Sequence, residues 1–196
     1  MHLILANPVI FTVVLIVLAL AVLAWIFVKR RQSDRLQQRF GSEYGRTVSE
    51  LGGRTKAESD LKEREKRVAR LNIVPLAPAE AARFTHTWNG LQGRFIDNPK
   101  GVVAEADHLV TELMLKRGYP MGDFERRAAD ISVDYPGVVA AYRAAQVIAV
   151  SDARGAANTE ELRKAVVHYR ALFDELLEVR EIKAVALPAE PVPAHS

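Results

Sequence analysis

The chain has 196 residues, a net charge of +3 and no cysteine, and 49% of its residues are hydrophobic. The lack of cysteine excludes disulfides, thiolate metal sites and a cysteine nucleophile. The small net charge hides an asymmetry, because residues 29–70 hold 13 Lys/Arg against 7 Asp/Glu, whereas residues 71–196 hold 14 against 17. The basic part of the chain is therefore confined to its first 70 residues.

Residues 9–28 form a run of twenty residues that carries no charge and has Thr12 as its only polar side chain. At about 1.5 Å per residue, a helix of this length crosses the roughly 30 Å hydrocarbon layer of a bilayer. We therefore expect a transmembrane helix at 9–28, preceded by a short extracytoplasmic segment at 1–8. Everything after Val28 would then work from a membrane tether.

A cleaved signal peptide is the alternative for this run, since Ala19-Leu20-Ala21 has the small-x-small form of a cleavage site. It fits less well for two reasons. Residues 1–8 hold no Lys or Arg, and the apolar run continues through Trp25 to Val28. A single-pass membrane protein is the better interpretation.

A cluster of cations follows the run and sets the predicted orientation. Because Lys/Arg excess beside a span marks the cytoplasmic side, the sequence predicts an outside amino terminus and a cytoplasmic soluble domain at the cell membrane. Each cation near an anionic lipid surface adds about 1 kcal/mol of attraction, so anionic headgroups are expected partners. The cluster comprises Lys29, Arg30, Arg31, Arg35 and Arg39.

Residues 29–76 are predicted to form basic juxtamembrane and stalk helices. An apolar stripe at helical spacing, interrupted by Gly41 and Gly45 and ended by Gly52-Gly53, predicts the first of them. The stripe consists of Leu36, Phe40, Tyr44, Val48 and Leu51.

A second stalk helix is expected to open at Thr55, where Thr55 and Glu58 have capping-box spacing, and to be closed by Pro75 and Pro78. Favourable i,i+4 pairs are Glu58/Lys62, Asp60/Arg64 and Glu63/Arg67. Its apolar seam is narrow, so we expect it either to pair with a second copy as a coiled coil, the preferred option, or to fold back on the domain. The seam consists of Ala57, Leu61, Val68 and Leu71.

Residues 78–186 carry stronger helical periodicity and are predicted to form a bundle of about four to five helices. Asn98-Pro99 and the capping box Asn158–Glu161 begin two of these helices, and residues 118–122 form a loop. Residues 187–196 are rich in proline and alanine and predict a disordered tail. No run alternates with period two, so the fold class is all-α, with a transmembrane helix, charged stalk helices and a small helical bundle.

Several segments carry a resemblance to a known family. The run 117–136, RGYPMGDFERRAADISVDYP, with 142–145, 167–177, 39–41 and the charged helix at 61–70, resembles an uncharacterised family of bacterial proteins. These proteins have one amino-terminal span and a helical domain. The resemblance implies this architecture only, and it implies no activity, substrate or catalytic residue.

One spacing is typical of metal chemistry. Glu105-x-x-His108, with Glu112 one turn further, is the spacing of helical di-iron sites, but such sites need a second Glu-x-x-His together with two further glutamates on facing helices, and the sequence has no second Glu-x-x-His. His86 and His168 have no carboxylate or nucleophile at a recognisable spacing. We therefore predict no catalytic residue, cofactor or metal ligand.

The expected function is that of a membrane-anchored cytoplasmic interaction or scaffold protein without catalytic activity, with an unidentified protein partner and an option of homo-oligomers through the stalk. The first alternative is a basic membrane-surface or nucleic-acid-binding protein. Interleaved acidic residues and the adjoining span favour lipid over nucleic acid within that alternative. A helical metalloprotein or enzyme is the second alternative.

Overall fold

A computed structural model describes the backbone of residues 8–177 and the side chains from residue 11 onward. Within this range the chain forms eight α-helices and no strand, which confirms the all-α prediction. The predicted tail at 187–196 and residues 1–7 lie outside the described residues. The helices are α1 (Pro8–Phe40), α2 (Ser42–Leu51), α3 (Arg54–Val68), α4 (Pro78–Gly93), α5 (Pro99–Arg117), α6 (Phe124–Asp134), α7 (Pro136–Ala153) and α8 (Thr159–Leu176).

Helix α1 is a single 33-residue helix and is long and apolar enough to span a membrane. At 1.5 Å per residue it measures about 50 Å. Its apolar part is exposed in the isolated chain, with Leu23 at 62%, whereas Leu36 and Phe40 in its last two turns are only 2% and 0% exposed. The same helix therefore runs from the apolar segment directly into the core of the folded domain.

Helix α1 ends at Gly41, whose φ of 51° lies in the left-handed region that favours glycine. The chain then reverses into α2, in which Gly45 is an ordinary helical residue, and Gly52 closes α2 with a φ of 68°. The predicted stop at Gly52-Gly53 is confirmed. Of the two predicted interruptions, only the one at Gly41 breaks the helix.

Helix α3 begins at Arg54 without a side-chain cap, so the predicted capping box at Thr55 is wrong. The Glu58 carboxylate instead accepts hydrogen bonds from Ser33 Oγ at 2.5 Å and Tyr44 Oη at 3.0 Å. Glu58 therefore bonds to side chains of α1 and α2 and not to the backbone at the start of its own helix. For the same reason Lys62 donates to Gln32 rather than to Glu58.

The narrow apolar seam of α3 is buried against other helices of the same chain. Ala57, Leu61 and Val68 are buried, and the last two pack with Leu36, Phe40, Tyr44 and Val133 in one apolar cluster. Helices α2 and α3 contact α6 and α7, which is the folded-back arrangement. Pairing of the seam with a second copy stays a prediction.

The chain leaves helical geometry at Val68, earlier than the prolines at 75 and 78 predict. Tertiary contacts explain the early end, because Val74 N donates to Arg117 O at 2.9 Å and Leu76 is buried in the core of the bundle. The 69–77 segment therefore connects the apolar cluster around α3 to the bundle formed by α4–α8.

The bundle has one continuous core to which all five of its helices contribute. Trp88 on α4 stacks on Phe173 of α8 with ring centroids 4.6 Å apart, and both side chains belong to that core. The predicted caps at Asn98 and at Asn158, with its Glu161 partner, are both present. Helices α5 and α8 lie side by side.

Candidate functional site

A cleft of about 820 Å³ opens between the end of α1 and the bundle. Its walls come from the last turns of α1, α3, α5 and α6 and from the 69–75 segment. We call it the basal cleft. It is lined by Arg35, Arg39, Glu65, Lys66, Val68, Ala69, Leu71, Ile73, Pro75, Arg117, Tyr119, Val133, Asp134 and Tyr135.

Gly118 brings the bundle wall of the cleft together. Its φ is 98°, and a Cβ at this position would lie 2.4 Å from the Asn72 carbonyl oxygen. Only glycine therefore allows the end of α5 to approach the 72–74 backbone this closely. The consequence is that Arg117 and Tyr119, on either side of Gly118, both reach the cleft.

Arg117 is 8% exposed and ties three parts of the bundle together. Its Nη1 donates to Tyr135 Oη at 2.7 Å and to the Leu176 carbonyl at 3.0 Å, at the end of α8. The guanidinium also lies 5.6 Å from the centre of the Tyr135 ring. The charge of Arg117 is thus fixed in position at the cleft wall.

Tyr119 and Asp134 form the neighbouring pair. Tyr119 Oη donates to Asp134 Oδ2 at 2.7 Å. Burial raises the pKa of the Tyr119 phenol, and the hydrogen bond to Asp134 raises it further. Tyr119 therefore stays a neutral donor at any physiological pH.

The opposite wall comes from the end of α1. Arg39 Nη1 lies 3.0 Å from Glu65 Oε1, Arg35 Nη2 lies 3.7 Å from the same oxygen, and Arg39 Nη2 donates to the Val133 carbonyl at 3.4 Å. One carboxylate therefore serves two arginines. Arg35 remains well exposed, with 70% of its side chain accessible.

The charge balance of the basal cleft is positive. Four cations, Arg35, Arg39, Lys66 and Arg117, line it together with two carboxylates, Glu65 and Asp134. Arginine binds carboxylate and phosphate groups through two parallel hydrogen bonds. Leucine, isoleucine, proline and tyrosine side chains lie between the charges. The cleft can therefore bind an anionic group attached to an apolar body.

A buried ion network lies behind the cleft and fixes α2 and α3 to α7. Glu43 of α2 is 2% exposed and lies 2.9 Å from both Arg64 of α3 and Arg143 of α7. Asp60 lies 2.7 Å from Arg64, and Glu125 lies 2.5 Å from Arg143. Although burial opposes its charge, hydrogen bonds to Glu43 and Glu125 raise the pKa of Arg143.

A second buried pair supports the same contact. Asp130 of α6 is fully buried, and Arg67 of α3 approaches its Oδ1 to 2.6 Å. Burying a charge without a partner costs several kcal/mol, so the network requires α2 to stay docked on α7, and the Arg67–Asp130 pair requires α3 to stay docked on α6.

The cation cluster that the sequence predicts is divided by the structure. Arg35 and Arg39 enter the basal cleft, whereas Lys29 lies 5.1 Å from the centre of the Trp25 ring, and Lys29 and Arg30 line a separate depression. Arg31 lies on a third side of α1. Only two of the five predicted lipid contacts therefore belong to the cleft.

The residues with di-iron spacing have other partners. Glu105 accepts from Arg94 at 2.5 Å, and Glu112 accepts from Arg83 at 3.4 Å, all at exposed positions. His86 and His108 are exposed, and His168 is half-buried. Across residues 8–177, no three His, Asp or Glu side chains lie together as a metal site would require.

Sequence reasoning missed Glu43, Arg64, Arg117 and Asp130 as buried charges. Arg64 offered a signal, since it stands at the seam position between Leu61 and Val68 where an apolar residue is expected. A charge in that position indicates either a solvated face or a buried partner, and periodicity does not distinguish the two. The partner, Glu43, lies 21 residues away on another helix.

Comparison of the chain with protein-family models, curated proteins and solved structures gives no match.

Proposed function

We propose that this chain is a membrane-anchored helical interaction module, held by the apolar half of α1, with its folded domain on the cytoplasmic side. The observation that carries the proposal is the continuity of α1. A helix that leaves large apolar side chains unburied over residues 11–28 requires an apolar surrounding, and its last turns are part of the domain core.

The cytoplasmic side is supported by Lys29, Arg30 and Arg31, which follow the apolar segment directly. The continuity of α1 also favours an uncleaved anchor over a signal peptide. Cleavage after Ala21 would leave Leu23 to Val28 as an exposed apolar extension of a folded domain.

The basal cleft is the interaction surface in this proposal. Its excess of cations, together with apolar side chains such as Leu71 and Ile73, fits an acidic segment of a partner protein that also carries apolar residues. Arg35 contributes exposed charge, Lys66 contributes an exposed charge that is paired with Glu63 at 2.8 Å, and the buried Arg117 contributes fixed charge.

Topology is tested with reporters fused after Ser196 in the full chain. We expect activity from a reporter that works only in the cytoplasm and none from one that works only outside it. Activity of the outside reporter, or release of the chain from membranes by alkaline carbonate, would contradict the anchored cytoplasmic module.

The cleft is tested with a photo-crosslinking amino acid at Ala69, an exposed residue of the cleft wall. The matched control has the same residue at Ala104, an exposed alanine of α5 that does not line the cleft. We expect a discrete crosslinked band from position 69 only, and we expect it to weaken in an Arg35→Glu variant. Equal bands at both positions, or no effect of the charge reversal, would count against the cleft.

A further inference from the structure

The turn between α2 and α3 lies at the level of the predicted membrane boundary. Arg54 and Thr55 line a depression of about 320 Å³ together with Trp25, Ile26 and Lys29 of α1. The predicted span ends at Val28, so the first turn of α3 lies beside the last turn of the span.

Contacts along α1 and α3 show that the two helices run side by side in the same direction. Ser33 contacts Glu58, and six residues further along α1, Arg39 contacts Glu65, seven residues further along α3. Helix α3 therefore starts at the membrane boundary and moves away from it by about 1.5 Å per residue.

The composition of the turn suits a membrane surface. Leu51 at its start is 40% exposed although it is a large apolar residue, and Arg54, Thr55 and Lys56 are all exposed. Residues 51–56 hold two cations and no acid, and the carboxylate of the nearby Glu58 accepts hydrogen bonds from Ser33 and Tyr44. We call residues 51–56 the basal turn.

We propose that the basal turn is a second lipid-contact surface, which binds anionic phospholipid headgroups through Arg54 and Lys56 and places Leu51 at the bilayer interface. Together with Lys29 and Arg30 it forms a collar of cations drawn from two separate parts of the chain. The proposal rests on the membrane anchor proposed above and adds a partner for the domain itself.

The position of the turn is tested in the full chain reconstituted into nanodiscs of phosphatidylcholine and phosphatidylglycerol. Because the chain has no cysteine, single cysteines can be labelled with a fluorophore at will. Exposed positions Thr55, Ser59, Glu63 and Ala69 form a ladder along α3. We expect quenching by a nitroxide near the lipid headgroup to be strongest at Thr55 and to fall along the ladder. Equal quenching at Thr55 and Ala69, or none at Thr55, overturns the proposal.

Lipid selectivity is tested with the label at Thr55 and with the nitroxide carried on either phosphatidylglycerol or phosphatidylcholine. A cation at an anionic surface enriches anionic lipid by up to about fivefold. We therefore expect the phosphatidylglycerol quencher to act more strongly than the phosphatidylcholine quencher on the parent chain. In the double variant Arg54→Gln/Lys56→Gln the two quenchers should act equally. Lys56→Gln alone, at an exposed side chain, should remove part of the preference if the double variant does not fold.

The matched control is Lys66→Gln/Arg70→Gln, which removes two exposed charges at and just beyond the other end of α3. This site begins roughly 18 Å further along the helix, beyond the Debye length of about 10 Å at 0.1 M salt. We expect no change in lipid preference. An equal loss in the control and in the basal-turn variant overturns the proposal, since it would reflect net charge alone.

A label at Leu20 separates this proposal from the anchor. Quenching of that label by a nitroxide deep in the acyl chains, without quenching at Thr55, overturns the basal turn and keeps the anchor. Lack of quenching at Leu20 overturns the anchor, and the basal turn with it.

Discussion

Replacing Glu43 by glutamine should destabilise the domain more than any other single charge removal in the ion network. The substitution keeps the side-chain shape but leaves Arg64 and Arg143, both 2.9 Å from Glu43 Oε1, without the carboxylate between them. Breaking a buried ion pair by removing one partner costs about 3–5 kcal/mol. Asp60 and Glu125 retain contact with one arginine each, which places the expected cost near the lower end of that range.

The measurement is thermal unfolding of the full chain in detergent micelles, followed by far-ultraviolet circular dichroism. For a domain of this size, each kcal/mol lowers the unfolding midpoint by about 2–4 °C, so we expect a decrease of roughly 6–12 °C for about 3 kcal/mol. The control is Asp60→Asn, at a carboxylate whose side chain is 42% exposed, which should cost less than about 1 kcal/mol. Equal midpoints for the two variants would refute the reasoning that burial makes Glu43 the central charge.

Three further outcomes are expected in the same assay. Gly118→Ala should lower the free energy of unfolding by more than about 1–2 kcal/mol, because Gly118 has a positive φ and lies close to Asn72. Gly90→Ala, in open space inside α4, should instead raise it by about 0.5–1 kcal/mol. Equal effects of the two substitutions would contradict the close approach at Gly118. Trp88→Ala should lower the free energy of unfolding by about 3–5 kcal/mol, because the ring is 3% exposed and stacked on a second ring. An unfolding midpoint equal to that of the parent chain would show that Trp88 is not part of the core. Burial, and to a smaller extent the nearby Asp107, raises the pKa of the Tyr169 phenol above the ordinary value near 10. The unfolded chain therefore loses this proton first, so the free energy of unfolding should fall as pH rises above about 10. Tyr169→Phe should make this fall less steep, and an unchanged slope would contradict the argument.

Local signals in the sequence predicted much of the fold. Asn98 and Asn158 act through groups three residues away, so these caps can be identified without knowing the tertiary structure, whereas the sequence does not distinguish Gly41, which ends a helix with positive φ, from Gly45, which does not. The apolar faces around Leu36 and Trp88 are likewise periodic along one helix. Such features depend on neighbours within about one turn of chain.

The candidate site was harder to predict, because its contacts join distant parts of the chain. Arg39 reaches the carbonyl of Val133, 94 residues away, and Glu43 pairs with Arg143, 100 residues away. Helical periodicity assigns a charged residue to the surface by default, so it placed Arg64 on a narrow stalk rather than in a core. The wrong capping box at Thr55 has the same origin, since Glu58 binds α1 and α2 instead.

Because α1 is continuous, the angle of the basal cleft around the helix axis is fixed relative to the side chains of the proposed anchor. In a straight helix each residue turns the chain by about 100° and advances it by 1.5 Å. One alanine inserted directly after Val28, before the first α1 residues that bond to α3, would therefore swing the basal cleft by about 100° relative to the side chains of the span. Seven inserted residues would nearly restore the angle while lifting the cleft by roughly 10 Å. Binding of a partner that contacts both the span and the cleft would be weakened by the first insertion, because the two contacts no longer face the same way, and by the second, because they are too far apart. Binding of a partner to the cleft alone would be unchanged by both.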